Sequence, residues 1–333
     1  MRIRRTFFLA IPLGLILATL AYFALFSLQL GAPTPNSRWC AEMLEKKRAA
    51  ANAIAGPKLL IVAGSSGLTG ISAEEIHRAT GFPTVNFSLH AALGPYYILR
   101  VARQNLRPGD TVLLAFEYDL YDYGDLLASS TDDLFIDFIL SRDPDYVRAL
   151  PLRPYAKLAL QTPGSRILRG LRSIFAKPKP VPASQVFRSE NISLLGDQLG
   201  CTREARPPHF ADRIGASGAL ANGLPAEPAG FPAFRDFCAW ARANHIRVLA
   251  TFPNIAHVPE YDLPSAEKAP QKIRDFFKSM DVPVLGEARD AFLPKDEFFD
   301  TLYHPLHEAA IARTRRLLVH LAPYLTPKPA SVR

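Results

Sequence analysis

From Thr6 to Leu30 the chain carries no charged residue, and the five residues before that run are Met-Arg-Ile-Arg-Arg. A helix satisfies its own backbone hydrogen bonds, and one of this length is long enough to cross a hydrocarbon core of roughly 30 Å. A cleaved signal peptide has a shorter apolar region, about 7–15 residues, ahead of a small-residue site, and Leu30-Gly31-Ala32 matches such a site only loosely. The run therefore reads as a signal anchor (1–31). Three arginines precede it and none follows directly, which orients the N-terminus to the cytoplasm and the rest outward. In a bacterial chain this means a single-pass inner-membrane protein with its C-terminal domain in the periplasm.

A polar, proline-containing spacer and a helix over about Trp39–Ala55 (32–57), its lysines and arginines facing water, follow, and then short apolar runs alternate with helical stretches. Leu59-Leu60-Ile61-Val62, within 58–63, has the continuous apolar pattern of a strand buried on both faces of a parallel sheet. Ser72 with Glu75 has capping-box spacing and predicts a helix ending near Gly81. A strand at 84–88, a helix opened by Gly94-Pro95, a turn at 107–110 and a strand at 111–116 continue the pattern. It breaks down over about 151–228, read as an irregular insertion. It resumes with a helix at 231–244, a strand at 247–252 and helices near 268–280 and 308–325. Such alternation predicts right-handed crossovers in one α/β domain, 58–330.

The net charge of +8 raises nucleic acid as a partner, but the basic residues are not interleaved with aromatics in any nucleic-acid motif, so none is expected. An anionic membrane or a polysaccharide fits better. The basic segment 166–175 has arginines among Ile, Leu and Phe at roughly helical spacing, which suits an amphipathic helix on a membrane or a solvated one on the domain. Cys40, Cys201 and Cys238 have no metal-ligand spacing; two of them pair in an oxidising compartment, or all stay buried thiols. No metal constellation is visible, and Ala63-Gly64-Ser65-Ser66-Gly67-Leu68-Thr69-Gly70 lacks the lysine of a phosphate loop, so no cofactor is expected.

Gly64-Ser65-Ser66 ends the first apolar run, and Asp300-Thr301-Leu302-Tyr303-His304 lies near the other end of the chain. A serine hydroxyl is a weak nucleophile until an imidazole takes its proton, and the imidazole needs a carboxylate to fix its tautomer. The order Ser, Asp, His suits an α/β protein in which the nucleophile follows the first strand and the base sits in a late loop. With Val85-Asn86-Phe87-Ser88-Leu89-His90, these segments resemble the SGNH, or GDSL-like, hydrolase superfamily. The likeness is to its membrane-anchored envelope branch, which includes alginate O-acetylation and teichoic-acid D-alanyl transfer proteins, and covers about 58–125 and 245–325.

The resemblance implies a three-layer α/β/α sandwich with a parallel sheet, flavodoxin-like, behind the transmembrane helix. It implies an acyl esterase or O-acyl(acetyl)transferase acting on an envelope or secreted polysaccharide, or on an acylated small molecule. A transferase would need a membrane-bound acyltransferase as partner to supply the acyl group. The rival is a catalytically degenerate scaffold or polysaccharide-binding protein. By the same likeness Ser65 or Ser66 is the nucleophile, His304 the base and Asp300 its orienter. Asp296 and Glu297 are substitute carboxylates and His307 a competing base. The family's oxyanion asparagine at the end of the third strand is absent: Phe116-Glu117-Tyr118-Asp119 stands there. Asn86 and the Tyr118 hydroxyl are candidate substitutes. Glu117 is a candidate for binding a sugar hydroxyl or holding a cationic side chain, and His90 for lining the cleft. Tyr96, Tyr97, Tyr118, Tyr121, Tyr123 and Tyr303 suit a carbohydrate platform or rim packing. Asn191 with Gly196-Asp197, in the insertion, resembles a loop of related envelope proteins and is a candidate lid over the site.

Overall fold

The computed structural model describes residues 2–124, 133–176 and 185–325, with side chains from residue 10 onward except Asp133. The side chains of the N-terminal arginines, residues 177–184 of the insertion and the 326–330 end of the domain lie outside the described part. In chain order the elements are α1 (Arg2–Leu28), α2 (Arg38–Ala53), β1 (Leu59–Val62), α3 (Ser65–Gly70), α4 (Ala73–Thr80), β2 (Thr84–Asn86), α5 (Gly94–Arg103) and β3 (Thr111–Leu114). There follow α6 (Asp133–Arg142), α7 (Pro144–Arg148), α8 (Leu152–Gln161), α9 (Gly164–Ser173), α10 (Gly218–Asn222), α11 (Phe231–Ala243) and β4 (Arg247–Thr251). The chain ends with β5 (Ile255–Ala256), α12 (Lys268–Lys278), β6 (Val284–Leu285), β7 (Phe292–Leu293) and α13 (His307–Leu321). Two compact units divide them: residues 1–41 with 130–180, and residues 42–129 with 181–333.

The larger unit is built on a five-stranded parallel sheet of order β2-β1-β3-β4-β6. The apolar run of β1 and its neighbour β3 are buried at every position, as strands covered on both faces must be. Helices α5 and α11 pack on one another, and α13 packs on α3 and α4. The chain reverses beside β1, with β2 on one side and β3 on the other, so a crevice opens at the carboxyl ends of these strands. Gly64-Ser65-Ser66, Asn86 and Glu117 all stand at or just beyond that edge. At the opposite edge Asp110 ties the two central strands together. Its carboxylate accepts from the Lys58 ammonium at 2.6 Å and from the Lys58 and Arg107 amides at 3.0 and 2.8 Å. The capping prediction for α4 holds at Ser72, whose hydroxyl accepts the Glu75 amide, and Gly81 closes the helix in the left-handed region at φ 68°. Glu75, however, turns its carboxylate to Arg78 and Arg315 instead of back to the cap.

In the smaller unit, Ala10–Leu28 of α1 is long and apolar enough to cross a membrane, with a mean hydropathy of 2.1. Part of the segment read as irregular is helical: α8 and α9 occupy 152–173, and α9 matches the helical spacing of the basic segment 166–175. The prolines that read as breakers stand instead at helix starts, Pro151 and Pro163 as N-caps and Pro154 in the first turn, where a missing N–H costs no hydrogen bond. The C-terminal part of α1 packs on these helices. The Tyr22 hydroxyl lies 2.7 Å from both the Ala159 and Thr162 carbonyls, and the Phe26 ring meets Tyr155 edge-on. Arg166 is turned inward: it pairs with Asp137 at 2.5 Å and donates to Gln29 and Ser141. The three cysteines are free and buried, and burial pushes their thiol pKa values up, that of Cys238 to about 12.

Candidate active site

The turn after β1 becomes the single helical turn α3, whose residues are all buried. Its glycines are fixed by close approach. A Cβ on Gly64 would strike the Glu117 carboxyl, and one on Gly70 would strike the Asn254 amide and come within 3.2 Å of Pro305. Both approaches matter to the site, because they bring the ends of β3 and β4 and the late His loop onto the same turn.

The two serines have different surroundings. Ser66 is fully buried and donates its hydroxyl to the Ala115 carbonyl at 3.1 Å, an internal bond that leaves it no open face. Ser65 is 8 % exposed and donates to Glu117 Oε1 at 3.2 Å. The same Oε1 accepts the Ser66 amide at 2.7 Å, while Oε2 is buried with no hydrogen-bond partner among the described residues. Burial, the largest influence, raises the Glu117 pKa. The Ser66 amide, the Ser65 hydroxyl and the nearby His304 oppose that rise.

His304 is presented by a tight loop. Phe298 and Pro305 form an antiparallel bridge, and the Phe299 and Leu306 amides donate to the His304 and Glu297 carbonyls at 2.7 Å each. Leu302 is held to the end of β5 by the Ala256 amide at 2.9 Å. The spacing, one residue longer than Asp-x-x-His, is accommodated: His304 Nδ1 lies 2.7 Å from Asp300 Oδ1, with side chains 12 % and 18 % exposed. A carboxylate on Nδ1 fixes the proton there and leaves Nε2 as the basic nitrogen. The loop also touches the serine turn, through the Tyr303 carbonyl 3.5 Å from the Thr69 hydroxyl. Tyr303 extends the other way and donates to Asp119 at 2.9 Å, which the Ser217 hydroxyl also reaches. The Ser65 hydroxyl is bonded to Glu117 and not to His304.

Other expected residues fall elsewhere. Asn86 is no free donor: its amide serves the Gly67 and Ile71 carbonyls at 2.9 and 2.8 Å, and its oxygen takes the Ser88 amide. Tyr118 is fully buried and stacks on Phe252. Its hydroxyl makes no hydrogen bond among the described residues, and burial raises its pKa strongly. His90 caps the short turn before α5 by accepting the Ala92 amide. Tyr97, Tyr118 and Tyr121 lie in the core, so no sugar-binding platform forms from them. Asp197 belongs to no lid: it accepts from Ser72 and from the Ala73 and Glu74 amides, completing the N-terminus of α4. His307 starts α13 and donates its amide to the Cys201 carbonyl.

Two residues were missed. Asn254, just past β4, donates to the Gly70 carbonyl at 2.8 Å, and its side-chain oxygen is buried with no partner among the described residues. Lys47 is buried and donates to the Asn86 and Gly196 carbonyls at 2.6 and 2.7 Å. Only the position of Asn254 after an apolar run was visible in sequence; Lys47 read as one more solvated lysine. Compared with protein-family models, curated proteins and solved structures, the chain matches none.

Proposed function

We propose that the protein is a membrane-anchored acyl esterase or O-acyltransferase of SGNH type, a three-layer α/β/α sandwich working through a Ser65 acyl-enzyme. Its substrate class is an ester on an envelope polysaccharide or an acylated small molecule. The observation that carries the reading is the hydrogen-bonded Asp300–His304 pair on a loop seated against the Ser65 turn. In this scheme the Ser65 hydroxyl rotates from Glu117 toward His304 Nε2, which takes its proton as Oγ bonds the acyl carbon. The departing alcohol takes that proton back as its bond to the carbon breaks. A water or sugar hydroxyl then repeats the sequence and releases Ser65. Burial raises the Glu117 pKa, and in this scheme a protonated Glu117 carboxyl replaces the missing asparagine by offering one donor beside the reacting oxygen, where an ionised one would repel an oxyanion. The α1 segment anchors the chain in the inner membrane with the sheet domain in the periplasm, within reach of a membrane-bound acyl donor.

One observation favours a second reading. The Ser66 amide, a natural oxyanion donor, is already given to Glu117, and the Ser65 hydroxyl goes to the same carboxyl. A protein that keeps this arrangement permanently is a scaffold or polysaccharide binder. Fluorophosphonate labelling and p-nitrophenyl acetate turnover separate the two. The enzyme reading expects both in wild type and in Ser66→Ala variants that remain folded, and neither in Ser65→Ala or His304→Ala. A folded wild type that takes no label abandons the enzyme reading.

A further inference from the structure

The chain from Pro151 to Ala176 contains no acidic residue and carries Arg153, Lys157, Arg166, Arg169 and Arg172. Only Arg166 is turned inward among these arginines. Apolar side chains that a helical hairpin would ordinarily bury are outside: Leu160 is 70 % exposed, Leu168 53 % and Phe175 90 %. The contacts with α1 fix how deep these residues lie. Tyr155 of α8 meets Ser27 at 2.9 Å, and the end of α8 meets Tyr22 at 2.7 Å. The helix α8 thus runs back along α1 toward the middle of the apolar segment, and α9 returns to Gln29 through Arg166. About 20 residues span the hydrocarbon core, so a core starting at Thr6 ends near residue 26, and Tyr22 lies about 6 Å inside it. Interfacial helices bury their apolar faces to about 5–10 Å.

Resting on the reading of α1 as a membrane span, we propose that α8 and α9 form an interfacial hairpin beside α1. Leu160 and Leu168 enter the leaflet at the C-terminal end of α1, and Arg153, Arg169 and Arg172 pair with anionic lipid headgroups. Arginine suits this place because its stem packs on apolar surface while the guanidinium reaches a phosphate. The inward Arg166–Asp137 pair ties α9 to α6, so the exposed Arg169 and Arg172 of α9 are presented as a fixed set. A single anchor then becomes a wedge whose orientation about the membrane normal is restrained.

The buried native thiols make the test simple, since an engineered surface cysteine takes a nitroxide label selectively. Full-length Leu160→Cys and Leu168→Cys, with Leu15→Cys as a reference in the span and Val319→Cys as an aqueous one, are reconstituted in phosphatidylcholine–phosphatidylglycerol vesicles. Collision with dissolved oxygen and with a water-soluble nickel chelate is then measured by electron paramagnetic resonance. The proposal expects sites 15, 160 and 168 to favour oxygen and site 319 to favour nickel. It also expects nickel access at site 168 to rise several-fold when Arg169→Glu and Arg172→Glu are added or phosphatidylglycerol is omitted. If site 15 lies in lipid while 160 and 168 are as nickel-accessible as 319, the hairpin proposal is wrong and the span stands, leaving that face for a protein partner. Nickel access at site 15 overturns the span itself. Insertion that ignores both the arginines and the lipid charge overturns the headgroup pairing.

Discussion

Replacing Glu117 by glutamine probes the least usual group in the site, because an amide has the shape of the neutral acid and cannot ionise. The substituted side chain retains an acceptor for the Ser66 amide at 2.7 Å and the Ser65 hydroxyl at 3.2 Å. It adds a second N–H beside a position with no acceptor among the described residues, at a cost of about 1–3 kcal/mol. Against this stands the linkage. Burial raises the folded pKa of Glu117, so its contribution to stability is complete below the unfolded value and is lost as pH rises through the folded one. Wild type is therefore the more stable protein at low pH. Its advantage shrinks by about 1.4 kcal/mol for each pH unit above roughly 4.3 until Glu117 itself titrates. Urea midpoints of both proteins, taken across that range, read the slope directly. If Ser65 works as proposed, acyl-enzyme labelling should survive in Glu117→Gln and fall about 10²–10³-fold in Glu117→Ala, the usual cost of one lost oxyanion donor. A stability difference that stays flat or widens with pH would show that the folded protein does not favour the neutral Glu117 carboxyl, and the reasoning about a neutral acid would fail.

Asp110→Ala strands the fully buried Lys58 ammonium and should cost about 3–5 kcal/mol by chemical denaturation, whereas an unchanged midpoint would show the pair to be dispensable. The Glu75 carboxylate, held by Arg78 and Arg315 at a pKa of about 2, contributes stability present above the ordinary glutamate value and lost as pH falls through 2. Both arginines are exposed, so the difference between wild type and Glu75→Gln in that window should shrink in high salt; a salt-independent difference contradicts the assignment. Cys40, Cys201 and Cys238 should ignore a thiol reagent in the folded protein and all react after unfolding; fewer than three reactive thiols under non-reducing denaturation would reveal a disulfide.

The parts of this molecule legible in its sequence are those decided locally. The β1 run is apolar at every position because both its faces are covered, and Ser72 and Gly81 bracket α4 with side-chain and backbone chemistry that acts within a few residues. Glu117 could be picked out because it directly follows a buried strand. What stayed hidden was set at long range. Asn86 reads as a candidate donor until its amide is found committed to residues 67 and 71 and to Asp197, and Lys47 reads as surface until its acceptors come from residues 86 and 196. In the 151–176 segment α9 was legible from the helical spacing of the basic residues, whereas α8 was hidden for a different reason: its prolines punctuate in sequence but mark beginnings in structure.

Asp197 caps a helix that begins 124 positions before it, and Asn254 straps a turn 184 positions earlier. Such separations bear on the order of events during synthesis. The first strand, its turn and the helix after it emerge early but cannot take their final form until segments far downstream have closed large loops onto them. A nascent chain halted before residue 254 would carry Ser65 in a turn lacking one of its clasps, and before residue 304 would lack the imidazole as well. Whatever Ser65 does is thereby reserved for the completed polypeptide, with assembly itself acting as the safeguard against premature chemistry.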